Sequence, residues 1–239
     1  MAYNYLGLVN EVNRRLNEVE LTSSNFSTAT GFYSSIKDAV NASIRHINHE
    51  EFGWPWNHVE EEDLLTAGTV RYGYPTEAKT IDINSFRIKK DTDLNVSTTK
   101  LTNLNYSDYL KNWVDHEYNT DTSIRGVPRY IVKAPNQEYI IVPSPDKEYE
   151  LVYEYYRNTL DLSLYDDVPS SPSEFRHVII DGAMYYCYQF RGDNQAAAIT
   201  EAKFKEGIKH MRTLFINSYD YLSSTVIQRG SLLGGSGGF

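Results

Sequence analysis

Cysteine is almost missing from this chain: Cys187 is the only one in 239 residues. No intrachain disulfide can form, and a metal site built on paired cysteines has no ligands. Long apolar runs are missing too. No stretch approaches the ~18 residues of a membrane span, so no membrane partner is expected. Met1-Ala2-Tyr3-Asn4 lacks a basic region followed by an apolar run, so the start does not read as a secretory signal. Positive charge is scarce, with 23 Lys and Arg against 32 Asp and Glu and a net charge of -9. That balance argues against a protein that grips nucleic acid through its phosphates. It leaves open a surface that DNA slides past. The sequence has no phosphate-binding glycine loop, no nucleophile elbow, no dinucleotide fingerprint and no internal repeat. No cofactor is expected.

What is abundant is tyrosine, at 20 residues. Tyrosine favours strands and interfaces, because its ring packs while its hydroxyl bonds. Hydrophobics at 41% suit a soluble globular protein of one large domain or two small ones. The organising stretch is Phe52-Gly53-Trp54-Pro55-Trp56. Pro55 cannot continue a helix and biases Trp54 away from the α region. Gly53 suits a left-handed cap. Trp54, Pro55 and Trp56 are expected to form a junction that locks helical and strand parts together. An ordinary core position for both Trp is the alternative.

Four amphipathic helices are predicted. Helix one runs from about Tyr5 to Val19, with Tyr5, Leu8, Val12, Leu16 and Val19 on one stripe. Helix two runs from Thr30 to about Glu51, with Phe32, Ile36, Val40, Ile44 and Ile47 on one face. Ser171, Pro172 and Glu174 predict a capping-box start for helix three, which extends to Phe190. Its face carries Phe175, Val178, Ile179, Ala183, Tyr186 and Phe190. Helix four runs from Gln195 to Leu222, with Ala197, Phe204, Ile208, Met211, Phe215 and Leu222 buried. Between the pairs lie strand-like runs at 69–74, 80–83, 85–89 and 101–104, a short helix at 106–113, and strands at 128–133, 138–142 and 149–155. Asp91 to Lys100 reads as loop and Asp115 to Gly126 as a polar connection. The last three strands suggest an antiparallel meander.

The fold class is therefore α+β: a four-helix bundle of two N-terminal and two C-terminal helices with an inserted antiparallel β domain and a flexible C-terminal tail. Residues 1–56 and 169–228 make the bundle, 57–168 the insertion, and 229–239 the glycine- and serine-rich tail.

Candidate chemistry is thin. Glu60-Glu61-Glu62-Asp63 offers carboxylates, but neighbours on a strand point to opposite faces. His46, His49 and His58 have no established ligand spacing. Cys187 sits among helix residues and reads as packing. Tyr155, Tyr156 and Arg157 resemble a small stacking platform in an acidic setting. No catalytic or metal-binding residue is assigned, and the chain reads as a structural protein rather than an enzyme.

The order of these features resembles a known family. A helical hairpin ends in Trp54-Pro55-Trp56. Then come Gly126-Val127-Pro128-Arg129-Tyr130, the turn Pro143-Ser144-Pro145-Asp146, and the run Tyr149 to Tyr156. Pro169 to Pro172 precedes His177-Val178-Ile179-Ile180-Asp181-Gly182-Ala183-Met184 on a helix. This resembles the head-to-tail adaptors of tailed bacteriophages, including the tail tubular protein A type, over about residues 5 to 225. The resemblance implies a virion protein assembled in the host cytoplasm, forming a homo-oligomeric, twelvefold ring at the head–tail junction. Its implied partners are the portal protein and a tail nozzle or tail tube protein, with DNA passing through unbound. It also implies portal docking by a C-terminal segment, here Ser231, Leu232, Leu233 and Phe239. The competing expectation is a tail-associated glycan-binding or glycan-hydrolysing protein.

Overall fold

The computed structural model describes residues 2–92, 95–119 and 121–216. The chain divides into two compact units, Met1–Ile47 with Leu162–Phe239, and Asn48–Asp161. The C-terminal tail and Leu222 lie outside the described residues.

In the first unit, α1 (Tyr5–Arg15) starts on Asn4, whose side chain accepts from the Gly7 amide at 2.9 Å. Two more orphan donors of this first turn are met by a loop. The Tyr5 amide donates to Asp167 O at 2.8 Å, and the Leu6 amide to Tyr165 O at 3.0 Å. The helix stops four residues before the expected Val19, because Asn17 takes φ 57°. The Glu18 amide bonds Asn13 O and the Asn17 amide bonds Arg14 O, the paired closure of a Schellman motif. Val19 is consequently 74% exposed rather than on the buried stripe.

Helix α2 (Phe32–Glu50) buries Ile36, Val40, Ile44 and Ile47, with Phe32 only half-buried. Helix α5 (Arg176–Arg191) does not begin with the expected capping box. Ser171 is buried and bonds Tyr3 through both its carbonyl and its hydroxyl, and a 3-10 turn, Ser173–Phe175, leads into the helix. Gly192, at φ 75°, ends it. Phe190 lies outside the buried face, 67% exposed. Helix α6 (Asn194–Phe215) is capped by Asp193, which accepts from the Ala196 amide. It buries Ala197, Phe204, Ile208 and Met211.

These four helices meet through small residues and ion pairs. Gly182 of α5 faces both Ser43 of α2 and Phe204 of α6, and Gly207 of α6 faces Val178 of α5. Arg15 of α1 pairs with Asp181 at 2.8 Å, and Glu11 with Arg176 at 3.0 Å.

The second unit is three layers. One sheet has the order β1-β8-β3-β4, all antiparallel, from β1 (His58–Leu65), β8 (Tyr149–Arg157), β3 (Ala78–Thr92) and β4 (Asn95–Lys100). The other has the order β2-β7-β6-β5, from β2 (Arg71–Gly73), β7 (Glu138–Val142), β6 (Tyr130–Ala134) and β5 (Thr102–Leu104). The two sheets share a core that includes Phe86, Ile131, Tyr139, Ile141, Leu151 and Tyr153. The other face of the second sheet packs Val132, Ile140 and Val142 against Tyr109 of α3 (Tyr106–Asn112).

Several expectations change here. The last three strands are not a meander: β6 and β7 form a hairpin, but β8 belongs to the other sheet. The insertion is not wholly antiparallel, since β5 runs parallel to β6. Residues 95–100 are strand rather than loop, because an edge strand with Ser97, Thr98, Thr99 and Lys100 all exposed has no apolar face to betray it. The polar connection after Trp113 holds a short helix, α4 (Asp115–Tyr118), and a 3-10 turn, Thr122–Ile124. Gly53 does not adopt the left-handed conformation. The amides of Phe52 and Gly53 instead turn on the Glu51 carboxylate.

A side chain at 182 has no room, since its Cβ would lie 2.1 Å from Ser43 Oγ and 2.6 Å from Phe204 Cε2. Gly182→Ala is expected to lower stability by about 1–3 kcal/mol. Urea denaturation checks this, and Ser43→Gly in the same chain should recover part of the loss.

Candidate functional site: the tyrosine core and the acidic sheet face

Period two on β1 turns Val59, Glu61, Asp63 and Leu65 toward the core and His58, Glu60, Glu62 and Leu64 outward. The carboxylate run is thereby split between two faces. Asp63 accepts hydrogen bonds from Tyr139 at 3.0 Å and Tyr153 at 2.7 Å, both rings fully buried. Phe86 stacks on Tyr153 at 4.6 Å, and Tyr72 on Tyr139 at 5.5 Å. Tyr155 donates to Glu77, and Tyr149 to Asp146, each at 2.7 Å. Each ring fills core volume while its hydroxyl reaches a carboxylate at the rim, so no buried hydroxyl in this set is left unmet. Burial, then the nearby Asp63 charge, pushes the Tyr139 phenol well above its ordinary range; at Tyr153 the Asp63 hydrogen bond follows burial. Burial, then the carboxylate hydrogen bond, raises Tyr149 and Tyr155 to about 12.

Outward, the register sets Glu60 opposite Glu154 and Glu154 opposite Asp82, three carboxylates in a row across three strands. Like charges so placed repel. His58 Nε2 lies 2.9 Å from Glu154 and its ring stacks on Tyr156 at 4.6 Å. Lys89 reaches Glu62, with Glu150 3.9 Å away.

On the second sheet, Arg71 holds Glu117 in a two-pronged contact, Nε to Oε1 at 2.5 Å and Nη2 to Oε2 at 3.1 Å, and reaches Glu138 at 3.2 Å. Tyr109 donates to Glu117 at 2.8 Å. Burial pushes the Glu117 carboxyl up, but the hydrogen bonds from Arg71 and Tyr109 outweigh it and the net shift is downward. This network ties α4 to β2. Sequence reading missed it, since Arg71 and Glu117 are 46 residues apart and share no pattern.

The other candidates separate. His46 bonds Tyr186 while His58 bonds Glu154, and among the described residues no group of three or more His, Cys, Asp or Glu could hold a metal ion. Cys187 is buried, and burial raises its thiol to about 12, the reverse of nucleophile activation. Tyr155 and Tyr156 point to opposite faces of β8, so they make no stacking platform. Trp54 is fully buried and stacks on half-buried Trp56 at 4.6 Å; both lie with Pro55 in the second unit. Ser231, Leu232, Leu233 and Phe239 lie outside the described residues. Among those residues no helix is long and apolar enough to cross a membrane.

What the geometry defines is a packed scaffold with a charged sheet face. A family model described as SU10 adaptor protein matches residues 3–229. The chain belongs to that family. It is a bacteriophage adaptor and virion component, as the resemblance in its sequence implied, and the family points to a structural rather than an enzymatic role. No individual curated protein matches it.

The raised phenols predict alkaline sensitivity. A folded-state value above the ordinary 10.0 means that the unfolded chain gives up these protons first. The stability they contribute is whole below pH 10 and falls as pH climbs toward 12. Absorbance at 295 nm is expected to show tyrosines that ionise only as the near-ultraviolet dichroism collapses.

Proposed function

We propose that this protein is the head-to-tail adaptor that forms a ring between portal and tail, extends the DNA channel and docks the tail. The family match across 3–229 carries this reading. Two features of the chain support it. Its charged residues form structural contacts rather than a reaction centre, and its net charge of -9 suits a channel that DNA passes without adhering. The ring is read as twelvefold and homo-oligomeric, assembled in the host cytoplasm and seated at the head–tail junction, with the portal protein on one side and a tail nozzle or tail tube protein on the other. The four long helices are read as one four-helix bundle, and the unit Asn48–Asp161, with Trp54, Pro55 and Trp56 near its start, as its inserted domain.

Electron microscopy of particles from a phage lacking this gene tests the role. Normal capsids that lack tails or leak DNA are expected. Fully tailed but non-infectious particles would overturn it.

The C-terminal segment is proposed to dock on the portal. From Ser231 on, Leu232, Leu233 and Phe239 set apolar side chains in a glycine-rich run, which suits insertion into pockets on a partner. Truncation after Gln228 should abolish portal binding while leaving the thermal midpoint near that of the full chain. Unchanged binding would refute the assignment.

A further inference from the structure

The sheet β1-β8-β3-β4 ends on two strands that pair on one side only. Among the described residues β1 pairs with β8 and β4 with β3, and no strand lies on the outer side of either. Such an edge presents a row of backbone donors and acceptors, a template for another strand. Four strands, all antiparallel, make β1 and β4 run in opposite directions. A second copy set edge to edge, β1 beside β4, therefore continues the antiparallel alternation.

The side chains of the two edges are complementary. β1 carries four carboxylates in succession, Glu60, Glu61, Glu62 and Asp63. β4 carries no carboxylate, and its Ser97, Thr98, Thr99 and Lys100, all exposed, can each donate a hydrogen bond. Within one chain Glu62 is taken by Lys89, and Asp63 by two tyrosines. Among the described residues Glu60, Glu61, Thr99 and Lys100 make no side-chain hydrogen bond or ion pair. Lys100 stands opposite Arg87, which has no carboxylate partner either, and like charges so placed repel. The nearest acidic residue on this hairpin, Asp91, is four positions from Arg87, about 13 Å along the strand, with Lys89 and Lys90 between them.

The pleat then fixes the register. The row Glu62, Val152, Arg87, Lys100 places even-numbered residues of β1 and β4 on the same outer face. Only two antiparallel registers overlap all six residues of β4 with β1 and keep that face continuous. One sets Lys100 against His58. The other sets Lys100 against Glu60, Thr99 against Glu61, Thr98 against Glu62 and Ser97 against Asp63, four donors against four carboxylates. We infer that β4 of one copy adds to the edge of β1 of a second copy in this latter register, joining their sheets into one. Two different edges of one chain meet, so the contact is head-to-tail and propagates until a ring closes. Two β1 edges repel each other, which disfavours a symmetric contact. This rests on the adaptor-ring reading and gives that ring a specific interface.

The test uses full-length Glu62→Cys and Thr98→Cys chains and a short bis-maleimide cross-linker. Both sites are exposed, and buried Cys187 stays silent. Within one chain they lie three strands, about 14 Å, apart, so a linker shorter than that joins only separate copies. Mixed single variants are expected to cross-link to each other and not to themselves. The double variant should give a ladder of multimers, in concentrated solution or in purified particles. Lys100→Glu should weaken assembly about tenfold, and Glu60→Lys in the same chain should restore it. Multimers that form without this cross-link, or a double swap that assembles no better than Lys100→Glu, overturn the interface and leave the ring reading standing. Cross-links only between identical variants overturn it in favour of a symmetric dimer. No multimer in solution or in particles overturns both readings.

Discussion

Burial of the β6–β7 hairpin on both faces is the constraint on which the second unit depends. Ile131, Tyr139 and Ile141 face one layer, and Val132, Ile140 and Val142 the other. A strand pair with two apolar faces cannot meet water on either, so it needs a cover on each side. The first sheet supplies one and α3 with its neighbours the other. The position of β8 follows. Its alternation leaves one face wet, so it belongs to an outer layer and cannot continue the hairpin as a third central strand.

Tyrosine makes this thick core workable. Tyr139, Tyr153 and Tyr155 fill volume that a smaller side chain would leave as cavity, and their hydroxyls end on Asp63 and Glu77. The carboxylates of β1 thus serve two ends. Asp63 satisfies the core, while Glu60 and Glu62 charge the surface and keep an edge strand soluble. Acid–base work would need such groups gathered around one reacting point, and the sheet pleat disperses them.

The helical unit is organised by closeness. Gly182 leaves room for the side chains of Ser43 and Phe204, and Gly207 for that of Val178, so α2, α5 and α6 pack closely, and ion pairs register α1 on α5. The loop after Leu162 completes the first turn of α1, so its conformation is tied to the helix it caps. Close helix packing holds the first unit in shape, and the Asp63 and Glu117 hydrogen-bond networks do so in the second.

Periodicity was enough to reveal the four long helices and the strands that are apolar on one or both faces. Ile36, Val40, Ile44 and Ile47, or Tyr149, Leu151, Tyr153 and Tyr155, announce their faces because burial repeats with the backbone's own period. The family was legible too, in the order of Trp54-Pro55-Trp56, the central strands and the last helices. Other features were decided only in three dimensions. The edge strand 95–100 has no apolar face, so nothing local marks it. Asn17 stops α1 through a backbone closure that its apolar stripe overruns. Ser171 serves Tyr3 rather than a helix end, because a partner 168 residues away competes for it. Arg71 meets Glu117, and Asp63 meets two tyrosines, only because strands distant in sequence become neighbours in a sheet. Local patterns record which face of an element is buried; what it is buried against is settled by tertiary pairing, where long-range hydrogen bonds and close packing outweigh local preference.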